Sequence, residues 1–203
     1  TGDEIIEIAT PIGLAAILIA SLYFINIAPL RANLTLLNAL RYQSSDVQQG
    51  FDDYQRALSY GYLGKQEIRE QLTKFALEAG GSPNVPAEFK DKIIRNALTE
   101  LDANIKENPG DPRPYLFLGG LYSRIGLTDY ALAAFQEASR LSPNKQQIYF
   151  EIGDVYLQKG DYKNAAAVME KAFNLDTSYN TAGINLAAVY ILNNEQAKAD
   201  QTL

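Results

Sequence analysis

The chain of 203 residues contains no cysteine, no histidine and only one methionine. Without cysteine the chain forms no disulfide and has no thiol nucleophile. Without histidine it lacks the Ser-His-Asp triad and the usual zinc ligands. Lysine and arginine number 18 against 24 aspartate and glutamate residues, for a formal net charge of -6. Because nucleic-acid binding depends on clustered cations, and we find no basic stripe, the sequence predicts no nucleic-acid partner.

Charged residues are also missing from one long segment, which runs from Ile8 to Leu30. Its centre, Ile12 to Ala28, is apolar on every face of a helix and is long enough to span about 30 Å. We expect Pro11 to start this helix and Pro29 to bend or end it. The residues assigned to the membrane or core helix are Ile12, Leu14, Ile17, Leu18, Leu22, Phe24 and Ile25.

Three interpretations of this segment remain open. It is a transmembrane helix, a helix buried among identical copies in the core of a pilus-like filament, or a buried helix of a soluble domain. A cleaved secretory signal is not expected, because no basic residues precede the apolar run. If the helix inserted alone, Arg31 and Arg41 would hold its C-terminal side in the cytoplasm. The acidic residues before it are predicted to be solvated or to pair with a neighbour's α-amino group; they are Asp3, Glu4 and Glu7.

The second half of the chain repeats one residue pattern every thirty-four residues. The first copy contains Tyr115, Leu118, Gly119, Tyr122, Gly126, Ala131, Phe135, Ala138, Leu141 and Pro143. The second contains Tyr149, Ile152, Gly153, Tyr156, Gly160, Ala165, Met169, Ala172 and Leu175, and a third opens at Asn180 with Leu186, Ala187, Tyr190 and Ala199. This order and period resemble the tetratricopeptide repeat (TPR). The resemblance implies an all-α fold in which helix-turn-helix units stack into an α-solenoid behind the N-terminal hydrophobic helix.

The physical chemistry of the pattern supports that interpretation. Gly119 and Gly153 lie in the apolar stripe of each first helix, where a missing side chain allows close approach of the second helix. Phe135 and Met169 supply the bulk that fills the space between the two helices. A left-handed residue after each first helix is expected at Gly126 and at its equivalent in the next copy.

Between the apolar helix and the repeats, the sequence is helical but less regular. Residues matching the repeat spacing in degenerate form are Leu34, Leu37 and Arg41, followed by Gly50, Tyr54, Ala57 and Leu58. Asp46 is predicted to cap the second helix of that pair. Helices carrying Ile68, Leu72 and Phe75, and then Phe89 to Ile105, are expected to follow. The predicted organisation is 1–30 as hydrophobic helix, 31–110 as degenerate hairpins and 111–203 as repeats (112–145, 146–179 and a truncated 180–203). Leu203 would stand in an uncapped final helix.

A second resemblance covers most of the chain. It is carried by the segments Tyr23–Ala32, Leu63–Leu72 and Leu141–Asp154. They are similar to the C-terminal part of bacterial O-antigen-ligase-like membrane proteins, which carry TPRs after their last membrane helix. This resemblance implies membrane ancestry and a cell-envelope context. It implies no transferase activity for this chain, because that chemistry resides in segments absent from it.

The TPR resemblance also implies a binding groove lined by positions two, five, nine, twelve and thirteen of each first helix. The residues assigned to this groove are Arg113, Leu116, Arg124, Gln147, Phe150, Asp154, Leu157, Ile184 and Ile191. Leu116 and Gly120 replace the Lys and Asn that grip a terminal carboxylate in chaperone-tail TPRs, so that ligand is not expected. An apolar helix or a neighbouring subunit is the expected occupant. In the alternative, Leu116 and Phe150 only pack adjacent units.

No catalytic, metal or cofactor motif is found, and the sequence therefore predicts a non-enzymatic protein with no cofactor. The leading hypothesis is an envelope filament or assembly subunit that forms a homo-oligomer or helical polymer through its apolar helix. That helix would be surrounded by lipid or by identical helices, with the TPR head outside. The alternatives are a membrane-anchored adaptor that binds another protein in its groove, and the C-terminal tail of a glycan transferase.

Overall fold

The chain folds into helices joined by short turns. The computed structural model describes residues 2–61, 64–178 and 180–202, with side chains from Thr10 onward except that of Asn180. The predictions for Leu203, for Leu63 and for the side chains of Asp3, Glu4 and Glu7 lie outside the described residues. The helices are α1 (Gly2–Leu22), a π-helical segment (Tyr23–Ile27), α2 (Ala28–Tyr42), α3 (Val47–Ser59), α4 (Lys65–Gly81), α5 (Ala87–Glu107), α6 (Pro112–Arg124), α7 (Thr128–Leu141), α8 (Gln146–Gln158), α9 (Tyr162–Leu175), α10 (Asn180–Leu192) and α11 (Gln196–Thr202).

The chain divides into two compact units, Thr1–Phe75 and Ala76–Leu203, and the division falls inside α4. No strand occurs in the part of the chain that the structure describes. The all-α fold class predicted from the sequence is therefore confirmed. The finer boundaries at 30 and 110 stay predictions.

The N-terminal helix is longer than the two prolines suggested. It is already helical from Gly2, before Pro11, and it continues past Pro29 to Tyr42. Proline has no N–H to donate, and its ring crowds the carbonyl of the residue four positions earlier. The turn before Pro29 is widened into the π-helical segment, in which the Ala28 N–H donates to the Tyr23 carbonyl. The expectation that the prolines limit this helix was wrong, because the widened turn lets the helix pass Pro29.

Helices α2 and α3 form the expected hairpin. The Asp46 carboxylate accepts a hydrogen bond of 3.0 Å from the Gln49 N–H, which caps α3 as predicted. The buried residues of α2 are Ala28, Ala32, Leu36 and Ala39, and those of α3 include Phe51, Tyr54, Ala57 and Leu58. Small side chains on one helix thus face large ones on the other.

The outer face of α2 differs from the expectation. Leu34 and Leu37, which match the repeat spacing, are 53% and 60% exposed rather than buried. The face that packs lies half a turn away and carries three alanines and Leu36, where α3 approaches closely. At this approach, a Cβ added to Gly50 would lie 2.8 Å from the Gln43 Cα.

The first part of α4 buries the three apolar residues assigned to it, Ile68, Leu72 and Phe75. The Phe75 ring lies 5.3 Å from the ring of Tyr54, centroid to centroid. In the second unit, α5 buries Ile93, Ala97 and Leu101 along one face. Helix α5 covers the segment Phe89 to Ile105 that was expected to be helical, and it stops at Glu107.

The remaining helices repeat with the period read from the sequence. First helices begin at Pro112, Gln146 and Asn180, and second helices begin at Thr128, Tyr162 and Gln196. Each spacing is thirty-four residues. A Cβ added to Gly119 would lie 2.5 Å from Phe135 Cε1, and one added to Gly153 would lie 2.7 Å from Met169 Cγ. The predicted pairing of a small residue with a large one is confirmed in both copies.

Each first helix ends in the same left-handed turn. Gly126, Gly160 and Asn194 have φ values of 79°, 71° and 61°. The residue after each donates its N–H to the carbonyl five positions earlier, as in Leu127 to Tyr122 at 2.9 Å. This pattern is the Schellman motif, which satisfies carbonyls that a helix end leaves without intrahelical partners. Identical turns give each hairpin the same geometry, which is the requirement for a regular stack.

Candidate interaction groove

The candidate groove lies on the first helices α6, α8 and α10. Within each of them the assigned positions are separated by three, four, seven or eight residues, so they occupy one helix face. The other face of each helix is buried, at Leu121, Val155 and Val189 among others. These three residues are also thirty-four positions apart. The sequence analysis did not single them out, although the period alone would have found them.

Three of the assigned apolar residues are half-buried and serve in packing. Leu116 and Phe150 pack against the core formed by α7 and α8. Phe150 also packs against the next core, between α9 and α10, as does Leu157. These residues therefore help to pack adjacent units, as the alternative interpretation of Leu116 and Phe150 expected. They form the floor of the candidate groove.

Two assigned residues on α10 are open to solvent. Ile184 is 58% exposed and Ile191 is 52% exposed. Ala188, between them, is exposed as well. Helix α10 contains no charged residue, and residues Thr181–Leu192 form a short apolar helix. This exposed face is the most apolar part of the candidate groove.

Carboxylates border this apolar face on α8. Burial raises the pKa of Glu151, and the neighbouring Asp154 carboxylate raises it further, against a hydrogen bond from Gln147. Burial also raises the pKa of Asp154. No lysine or arginine is among the groups that shift either pKa. Glu151 is half-buried and Asp154 is exposed, so the pair presents negative charge of which only the Glu151 part is shielded from water. Glu151 was missed at the sequence level, because position six is outside the positions that the TPR resemblance assigns.

The two assigned arginines lie at opposite ends of α6, and each contacts a residue outside the candidate groove. The Arg113 guanidinium donates to the Asp111 carboxylate, with Nη2 to Oδ2 at 2.8 Å. Arg124 is exposed, and its guanidinium lies against Gly81 at the end of α4. The structure thus places the two arginines at the margin of the candidate groove, beside other elements.

Polar contacts hold α8 against the preceding repeat at one end and against the end of its own repeat at the other. Gln158 on α8 donates to the Ser123 hydroxyl of α6 at 2.8 Å. Next to it, the Lys159 ammonium donates to the Asp129 carboxylate at 2.5 Å. At the other end of α8, Gln146 donates to the carbonyls of Ala172 and Asp176, at 2.9 and 3.0 Å. These contacts hold α8 in place from both ends.

The residues assigned to the membrane or core helix are all exposed. In the apolar run, Ile12, Ile17 and Leu18 are 65%, 65% and 60% exposed, and Leu22 is 52% exposed. Thr10–Tyr42 is one continuous helix of 33 residues whose most apolar part has a mean hydropathy of 2.0. It is the one helix, among the residues that the structure describes, that is long and apolar enough to cross a membrane. Leu14, Phe24 and Ile25 share this exposure.

Comparisons with known proteins agree with this architecture. Residues 146–179 match the family model of the tetratricopeptide repeat. Over 82 residues the chain is 34% identical to anaphase-promoting complex subunit 3 of Schizosaccharomyces pombe. That match covers 40% of this chain and 12% of the relative, so the chain spans a small part of that protein's length.

Solved structures show the same fold over most of the chain. A MamA crystal structure superposes with a TM-score of 0.61 at 18% identity, over 80% of this chain and 87% of that one. A thermophilic TPR protein of Thermus thermophilus superposes with a TM-score of 0.58 at 18% identity, over 84% and 87% of the two chains. The chain therefore contains TPR units arranged as an α-solenoid, an architecture typical of protein-interaction modules.

Proposed function

We propose that this TPR-containing chain is a non-enzymatic interaction scaffold, held at a membrane by its N-terminal helix, that binds a protein in the groove of its repeats. One observation carries the proposal. The exposed apolar run from Ile12 to Ile27 continues, as one helix, into the α2–α3 hairpin. A fully exposed apolar run of this length needs a covering of lipid or protein.

The length and the charges of the helix support a bilayer as that covering. The uncharged stretch from Ile8 to Leu30 contains 23 residues, or about 35 Å of helix, which matches the hydrocarbon thickness. Arg31 and Arg41 follow it, and this favours a cytoplasmic TPR head under the positive-inside rule. The resemblance to O-antigen-ligase-like proteins supports a place in the cell envelope.

Alkaline extraction of membranes tests the anchor. A Leu18→Arg substitution places a cation at the middle of the apolar run, where insertion of arginine costs about 2.5–3.5 kcal/mol. We expect the wild-type chain to stay in the membrane pellet and the variant to be released. Asn38→Arg adds the same charge to the same helix beyond the apolar run, and it should behave as wild type. Retention of Leu18→Arg, or release of the wild type, would refute the anchor.

A filament subunit is the second candidate function. It is favoured by one face of α1, on which Gly13, Ala16 and Ala20 lie three and four residues apart. Small residues at this spacing allow the backbones of two helices to approach closely. Nothing lies within 4 Å of a Cβ added to Gly13. Negative-stain microscopy of the purified full chain and of an Ala16→Leu variant separates the candidates: filaments that the substitution abolishes support the second, whereas dispersed particles, or filaments that persist in the variant, remove it.

A further inference from the structure

The outward face of α2 has an unusual composition. Leu30, Leu34, Leu37 and Arg41 follow one another at spacings of four, three and four residues, so they form one stripe. The stripe lies on the side of α2 opposite to Ala32 and Ala39, which are buried. Leu30, Leu34 and Leu37 are 58%, 53% and 60% exposed.

A lipid bilayer does not cover the whole stripe. If Arg31 marks the edge of the hydrocarbon, Leu37 lies about 9 Å beyond it along the helix. Leu34 and Leu37 therefore need another apolar surface. No acidic residue occurs between Glu7 and Asp46, and the charged residues of this segment are Arg31 and Arg41.

The groove of the TPR units has the complementary composition. Its apolar part is the exposed face of α10, at Ile184, Ala188 and Ile191. Its acidic part is the carboxylate pair on α8, half-buried Glu151 and exposed Asp154. One surface of the chain is thus apolar and basic, and the other is apolar and acidic.

We propose that the α2 stripe of one copy docks into the TPR groove of a second copy, with leucines on the α10 face and Arg41 against the Asp154 border. This contact goes beyond the proposed function. Symmetric contacts are disfavoured, because two α2 stripes would place Arg41 against Arg41 and two grooves would place carboxylates against carboxylates. The contact is heterologous, so each copy retains one stripe and one groove for further copies. Such contacts generate open-ended chains.

Self-association of the full chain in liposomes tests the contact. Because the chain has no cysteine, an Asn144→Cys substitution gives a single labelling position, and energy transfer between donor-labelled and acceptor-labelled copies reports association. Arg41→Glu and Asp154→Lys should each weaken association at least about tenfold, since each places like charges together. The double variant Arg41→Glu/Asp154→Lys should restore it. Lys74→Glu, an exposed charge change on α4, should leave association unchanged.

Mixing the two single variants gives a sharper result. The Arg41→Glu copy keeps an intact groove, and the Asp154→Lys copy keeps an intact stripe. An equal mixture should recover association, because the original Arg41–Asp154 contact and the charge-reversed contact between the two substituted positions can alternate along a chain of the two variants. Asp154→Asn provides a milder variant with intermediate association, and circular dichroism checks that every variant keeps its helical content.

Three outcomes would overturn the contact: a wild-type chain that does not associate, single variants that associate as wild type, or a double variant that does not recover. Each of these leaves the proposed function intact if the groove still captures a different protein. Loss of that capture together with loss of the membrane anchor would instead remove the proposed function.

Discussion

Gly119 and Phe135 are in contact closely enough that the glycine admits no side chain. A Cβ at position 119 would lie 2.5 Å from Phe135 Cε1, and Phe135 is 1% exposed, so its ring has no room to move. Gly120, the next residue, has nothing within 4 Å of its added Cβ. Position 119 therefore requires glycine, whereas position 120, next to it on the same helix, has space for a side chain.

Substitution of these glycines by alanine should change stability in opposite directions. Gly119→Ala should lower the free energy of unfolding by about 1–3 kcal/mol through overpacking. Gly120→Ala should raise it by up to about 1 kcal/mol, because alanine is the better helix former. Gly153→Ala should cost less than Gly119→Ala, since the Met169 side chain bends more easily than a phenyl ring. Denaturant unfolding of the three variants checks this order, and equal effects of Gly119→Ala and Gly120→Ala would contradict the packing account.

Substitutions at Ile184 and Phe150 distinguish a binding role of the groove residues from a packing role. Ile184→Ser removes an exposed side chain, so the free energy of unfolding should change by no more than about 0.5 kcal/mol. Partner capture or self-association should nevertheless be lost. Phe150→Ser removes a residue that packs against two cores, and it should also destabilise the fold, by about 2 kcal/mol. Capture assays and thermal melts of both variants measure the two effects. Undiminished binding by Ile184→Ser would exclude the α10 face from the binding surface.

The carboxylate pair on α8 should make stability depend on pH in a defined direction. The pKa values of Glu151 and Asp154 are raised in the folded state, so the folded chain favours their neutral forms. Their ionisation costs stability above the raised pKa values, and this cost disappears as the pH falls below the ordinary carboxyl values. Asp154→Asn should therefore raise the melting temperature at neutral pH.

The gain from Asp154→Asn should shrink on acidification, as seen in melting curves collected from neutral to acidic pH. Asp161 provides a control of opposite sign, because hydrogen bonds from Asn164 lower its pKa. Its contribution is present above the ordinary carboxyl pKa and is lost as the pH falls through the lowered value. An Asp154→Asn variant that is less stable than wild type at neutral pH would show that the pair is not under desolvation strain.

Asn194 occupies the left-handed position that glycine holds in the two earlier turns. Asn194→Ala should lower the free energy of unfolding by about 1 kcal/mol, because a Cβ without a local hydrogen-bonding group is disfavoured at positive φ. Asn194→Gly should preserve or raise it. Asn193→Ala, beside it, should have a smaller effect than Asn194→Ala. Thermal unfolding measures the series, and an Asn194→Gly variant as unstable as Asn194→Ala would argue against the shared turn geometry.

The repeat region could be predicted closely from the sequence, for a physical reason. Two closely packed helices need a small residue such as Gly119 opposite a large one such as Phe135. This pairing recurs every thirty-four residues, so the sequence shows it directly. The left-handed turns add a further constraint at Gly126 and Gly160. Asn194 performs the same role in the third copy and was not recognised, because asparagine is a weaker signal than glycine for this conformation.

The outer face of α2 was harder to assign, because both sides of this helix are apolar. One side carries alanines and the other carries Leu34 and Leu37, and periodicity does not distinguish them. The distinction comes from the packing of α3, whose Phe51 and Tyr54 are buried together with the alanines and Leu36 of α2. The widened turn before Pro29 has a local cause in the proline, but the sequence does not distinguish a widened turn from a helix end, since both relieve the crowding of the proline ring.

The central claim is that the candidate groove of the TPR units is where this chain contacts protein, and photo-crosslinking in cells tests it most directly. A photoreactive residue at Ile184 lies on the α10 face, whereas one at Tyr130, which is 63% exposed on α7, lies on a second helix. We predict covalent protein adducts from position 184 that are absent from position 130. Adducts from position 130, with none from position 184, would contradict the account.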